Sequence, residues 1–166
     1  MKPNYKALDI ASFFIKKGVS PLKLQKLLYY SQVWFFIKKN DKLFQDKIQA
    51  WIYGPVIYDV WNNFKYMKRS VLIPYNRAIN LDFTDEITFH LQDVWDAYGH
   101  LSGADLVDLT HSDLPWKNSR KGLLNDQPSD NEVLIDKDTI SDFVLDPIDK
   151  IPVINKGNSL GHYSNF

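Results

Sequence analysis

Apolar residues recur at helical spacing from the start of the chain. Between Asn4 and about Lys17, Leu8, Ala11 and Ile15 share one face, widened by Tyr5, Ile10, Phe13 and Phe14, which predicts a first helix. Gly18 follows two lysines, the place of a left-handed C-cap. Ser20-Pro21 then restarts a helix, with Ser as N-cap and Pro at the first helical position. This second helix should run to about Lys39 and stop at Asn40. Leu24, Leu27, Leu28, Ser31, Trp34 and Phe35 form one stripe, and Tyr30, Val33 and Ile37 make the other side apolar too. A helix that is apolar nearly all round belongs in the middle of a domain.

The pattern then changes period. Leu43-Phe44 and Ile48 to Tyr53 suit short strands or extended segments. Gly54-Pro55 is expected to open a helix of about Val56 to Lys68, burying Ile57, Val60, Trp61, Phe64 and Met67. Residues 69–83 form a loop broken by Pro74, and Thr84 caps a fourth helix that turns Ile87, Leu91, Val94, Trp95 and Tyr98 inward and ends at Gly99. Ser102-Gly103-Ala104-Asp105 has the spacing of a capping box, which predicts a short helix through Leu109. Pro115-Trp116 starts another turn, Gly122 to Asn131 is polar and turn-rich, Val133 to Ile135 suits a strand, and Asp136 or Asp138 would cap a last helix through Val144. The fold expected is mainly α: a single compact helical domain, residues 1–145, around a central buried helix with a minor short β element. A loose polar tail, residues 146–166, follows it.

Composition narrows the function. Aromatics reach 14% and hydrophobic residues 45%, so the chain folds and is not disordered. It has no cysteine, which excludes disulfides and thiolate metal sites. Lys+Arg and Asp+Glu balance at 20 each, whereas non-specific nucleic-acid binders carry a basic excess. The N-terminus leads into no apolar signal core, and the richest apolar run, Leu27 to Ile37, is too short to span a bilayer. A cytoplasmic protein that makes no membrane contact is expected.

Candidate chemistry is sparse. The helix, Gly18-Val19-Ser20 turn, helix outline is that of a DNA-reading helix-turn-helix, with Lys23, Gln25 and Lys26 in the reading positions. A recognition helix needs an exposed face, and this one turns apolar all round from Leu27, so a helical hairpin is the better reading and a nucleic-acid partner is disfavoured. Asp105, Asp108 and His111 fall at i, i+3 and i+6, with His100 nearby, a spacing open to a metal or an acid/base pair. Asp105 is already accounted for as a cap, and the helix should end before His111. An enzyme using His111 and Asp108 is the weaker alternative, and neither a cofactor nor a metal is expected. Trp51-Ile52-Tyr53-Gly54-Pro55-Val56 reads either as a corner packed by aromatics or as an interface carrying anchors of the kind enriched in hot spots. The segment Thr110 to Trp116 is open to the same two readings.

Four motifs occur in register: Leu24-Gln25-Lys26-Leu27-Leu28-Tyr29-Tyr30; Ala50-Trp51 with Tyr53-Gly54-Pro55-Val56; Tyr98-Gly99 with Leu101-Ser102; and Leu109-Thr110-His111 with Pro115-Trp116. In order and spacing the chain, from about Tyr5 to Val144, resembles the Panacea (SocA-like) antitoxin domain family, also described for phage-associated proteins. The resemblance implies a mostly helical antitoxin whose partner is a cognate toxin protein encoded by a neighbouring gene. Family domains pair with many unrelated toxins, and one member is a proteolytic adaptor. An adaptor, with a protease or chaperone as a further partner, or a phage accessory binding protein, is therefore the alternative. The partner-binding set expected is Trp51, Tyr53, Gly54, Pro55, His111 and Trp116. Two departures stand out. The family often has Pro two residues after Gly-Pro-Val, where this chain has Tyr58. Some members carry an added DNA-binding domain, for which this chain leaves no room, so autorepression by this chain alone is not expected.

Overall fold

A computed structural model describes residues 4–152. Helix α1 (Ala7–Lys17) starts later than its apolar pattern suggests, because Tyr5 leaves the helix to form a bridge with Phe44 and the Asp9 carboxylate accepts from the Lys6 N–H. Gly18 ends α1 at φ +93°, and Ser20 Oγ accepts from the Lys23 N–H to start α2 (Pro21–Lys39). Asn40, at φ 52° and ψ 41°, is the left-handed stop.

The whole fold is arranged around α2, which touches α1, the hairpin and several later helices. Every residue from Leu24 to Phe35 is buried, polar ones included. Those polar side chains pin the non-helical backbone beside them. Gln32 Oε1 accepts from the Leu43 and Phe44 N–H groups while its Nε2 donates to the Phe44 carbonyl. Gln25 bonds both the N–H and the carbonyl of Ile57, and Lys26 Nζ donates to the Pro55 carbonyl at 3.0 Å. Irregular backbone packed against a core must find partners, and here the central helix supplies them.

The β element is a hairpin of β1 (Gln49–Trp51) and β2 (Gly54–Val56) turning at Ile52-Tyr53. Gly54-Pro55 therefore lies in a strand and does not open the next helix. Pro55 faces Ala50, whose N–H donates to the Asn131 carbonyl and whose carbonyl accepts from Arg120. Ala50 thus directs its hydrogen bonds away from β2, so the missing N–H of proline costs nothing. Helix α3 is shorter than expected (Tyr58–Phe64), with Ile57 at its N-cap, and leaves Met67 in the following turn. Tyr58 takes the first helical position, where an N–H has no helical partner in any case.

Helix α4 (Asp85–Tyr98) is capped by Thr84 and buries Ile87, Leu91, Val94 and Tyr98 as expected, together with His90, but leaves Trp95 half-buried under the Lys23 amine. The Ser102–Asp105 capping box opens α5 (Gly103–His111), which extends two residues past Leu109 so that His111 is its last residue. A short α6 (Leu114–Ser119) holds Pro115 and Trp116. The expected strand at Val133 to Ile135 reduces to a single bridge between Glu132 and Gln49, flanked by the Val133 N–H to Ile48 carbonyl bond. Asp136 caps the turn before α7 (Ser141–Leu145) and not the helix itself, accepting from the Asp138 and Thr139 N–H groups. The chain does not become loose at Asp146. Helix α8 (Pro147–Lys150) follows, Ile151 is fully buried, and Lys150 reaches Asp113 and Asp142 at 3.1 and 2.8 Å. The rest of the expected tail, residues 153–166, lies outside the described residues.

Asp113 is the centre of this closure. Its carboxylate, buried at the start of α6, accepts from the Tyr29 and Tyr30 hydroxyls at 3.1 and 2.9 Å and from Lys150. Burial pushes it up to about 6, against the opposing pull of Lys150 and the tyrosines.

Candidate functional site

The hairpin turn projects from the domain between α5 and α3. Gly54 sits at φ +108°, and a Cβ there would fall 2.7 Å from Thr110 Oγ1 and 3.0 Å from Lys26 Nζ. Only glycine allows both the dihedral and the approach. Behind the turn, the His111 ring interacts with the Ile52 backbone and stacks on Trp116 at 4.1 Å. Trp116 Nε1 donates to the Trp51 carbonyl at 2.9 Å. Arg120 closes the group by donating to the Ala50 carbonyl with its guanidinium over the Trp116 ring.

The six expected residues are thus neighbours, but they divide by exposure. Gly54, Pro55 and Trp116 are buried, and His111 is half-buried with its Nε2 enclosed and unpartnered. These four form the wall that supports the turn. Trp51 is half-buried and Tyr53 is 53% exposed, and both face a cleft of about 980 Å³. The cleft runs between the start of α2, the hairpin, α3 and the segment around Pro128 to Asp130.

Its far side comes from α3, which spacing alone had assigned to the core. Trp61 is only half-buried, and its ring meets Trp51 edge-on at 5.2 Å and Tyr58 at 5.5 Å. Lys65 lies over the Trp61 and Tyr66 rings, and the Arg69 guanidinium lies 4.8 Å from the centre of the Tyr53 ring. Tyr58, Trp61, Lys65 and Arg69 therefore line the candidate site, and the sequence reading left them out of it. Helical spacing held no signal for them, since the period that places Trp61 with Ile57 and Phe64 does not record how far it is covered.

The other candidates are engaged elsewhere. Gln25 and Lys26 are buried against the hairpin, and the half-buried Lys23 donates to the Gly99 carbonyl, so the three base-reading positions considered for α2 are engaged within the fold. Asp105 is used in its capping box. Burial lowers the His111 pKa from its ordinary value, with the Ile52 backbone acting in the opposite sense. Among the described residues no three His, Cys, Asp or Glu side chains are grouped to hold a metal ion, and no helix is long and apolar enough to cross a membrane.

No curated protein and no solved structure matches the chain. The sequence profile described as antitoxin SocA-like, Panacea domain, matches residues 24–117, a stretch holding most of α2, the hairpin, α3 and the Trp116 wall. With more than half of its length matched, the chain belongs to the antitoxin SocA-like, Panacea domain family.

Proposed function

We propose that this protein is the antitoxin of a toxin–antitoxin pair, acting in the cytoplasm, and that it neutralises a toxin encoded by a neighbouring gene through direct contact, with no chemical step of its own. The family match carries this reading. Two features support it: aromatic side chains stand exposed or half-exposed around one cleft, and His111 is stacked on Trp116 while Asp105 is used in its capping box. Large aromatics at the centre of an interface supply much of its binding energy. Tyr53 is the most exposed member of the expected set and the residue whose loss should cost binding without costing the fold. Trp116, with its ring against His111 and its N–H on Trp51, should matter chiefly for folding.

Co-expression with the product of the adjacent reading frame tests the proposal. The wild-type protein should restore growth and co-purify with that product. Tyr53→Ala should keep the wild-type melting temperature while weakening the complex by roughly thirtyfold, the effect of losing an anchor of about 2 kcal/mol. A wild-type protein that neither binds nor rescues refutes the antitoxin reading. Full rescue by a folded Tyr53→Ala protein would move the contact surface elsewhere and leave the function standing.

A further inference from the structure

The cleft is apolar in its walls and cationic in its charge. The charged side chains lining it are Lys26, Lys65 and Arg69 against one carboxylate, Asp130, although the chain as a whole has no net charge. Lys26 lies enclosed beneath the floor, so the accessible cations are Lys65 and Arg69 at the rim. Neither has a carboxylate partner among the described residues. Both are held instead over aromatic rings, Lys65 on Trp61 and Arg69 on Tyr53. A cation over a ring face keeps most of its charge available while losing rotamer freedom in advance, which lowers the ordering cost of binding an anion.

We propose that the cleft receives a segment of the partner protein that places an apolar side chain against Trp51 and Trp61 and sets flanking Asp or Glu carboxylates against Lys65 and Arg69. The inference rests on the antitoxin reading for the partner being a toxin, and adds the chemistry of the segment recognised. A protein segment suits the geometry better than single-stranded nucleic acid. Base stacking needs open ring faces along a basic track. Here Trp51 and Trp61 meet edge to face, cations cover the faces of Trp61 and Tyr53, and only two cations stand at the rim.

Selecting random linear peptides on the full chain tests this without any toxin, so its outcome is separate from that of growth rescue. Enriched peptides should share a Trp, Phe or Leu flanked by Asp or Glu. A synthetic peptide of that consensus should bind at least about tenfold more weakly to a Lys65→Glu, Arg69→Glu double variant, as expected when two surface attractions become repulsions. Its affinity should also fall with added salt. Both positions are exposed, so the double variant should melt like the wild type. Trp61→Ala, checked for folding in the same way, should weaken the same peptide. No enrichment, a consensus lacking acidic residues, or unchanged affinity in the folded variants overturns the proposal. Stronger binding of oligothymidylate than of any selected peptide would assign the cleft to nucleic acid and overturn it as well.

Discussion

Lys26 enters the core with one backbone acceptor, the Pro55 carbonyl. Burial pushes its amine from 10.5 down to about 7. Between those values the unfolded chain holds the extra proton, so stability should rise with pH from about 7 toward 10 and carry the full penalty below 7. Lys26→Met should flatten that rise, measured by urea unfolding between about pH 7 and pH 9, while a smaller, pH-independent cost remains from the unpaired Pro55 carbonyl. An unchanged slope would mean that Lys26 stays charged and solvated. His90 responds in a lower window. Burial holds it at about 3, so its contribution rises between about 3 and 6.5 and leaves the Lys26 window undisturbed.

The hairpin depends on a single residue more than either strand does. Gly54→Ala combines a φ of +108° with a Cβ driven against Thr110 and Lys26, whereas Gly18→Ala meets a similar φ of +93° but nothing within 4 Å. The first change should cost about 2–3 kcal/mol and the second about 1 kcal/mol, read as the difference in unfolding free energy. Equal costs would show that the close approach at Gly54 relaxes freely. The same pair of glycines shows what was legible at this scale. Gly18 follows a helical stripe and two lysines, so its C-cap role is written within a few residues. Gly54-Pro55 has two local meanings, a helix entrance or a strand. The choice is made by Ala50, whose hydrogen bonds go to Asn131 and Arg120, far along the chain.

Closure of the whole molecule runs through Asp113, where α2, α6 and α8 meet. Ending the chain after Leu145 would remove Lys150 and Ile151 and leave Asp113 buried without its cation. Breaking a buried pair in this way typically costs about 3–5 kcal/mol. The melting temperature should fall much further for that truncation than for one placed after Pro152, which keeps Lys150 and Ile151. Equal melting of the two would show that α8 merely rests on the surface. Composition had suggested a loose tail from Asp146, because Pro, Gly, Asn and Ser recur there with few apolar residues. It could not weigh one lysine whose partners lie in α4, the α5–α6 junction and α7, or one fully buried isoleucine beside it.

What the sequence determined by itself was everything carried by neighbours within about one helical turn: the buried central helix, the Ser20, Thr84 and Ser102 caps, the stops at Gly18 and Asn40, and the mainly helical class with a minor β element. The family motifs were legible for the same reason, as short strings in order. Tertiary structure alone decided which of those motif residues reach the surface. Trp51 and Tyr53 face the cleft while Gly54, Pro55, His111 and Trp116 support it from behind, and α3 turns Trp61 half outward when its spacing had placed it in the core. Exposure is set by contacts between different elements, such as Trp116 on Trp51 and Trp51 on Trp61, and helical or strand period carries no record of them.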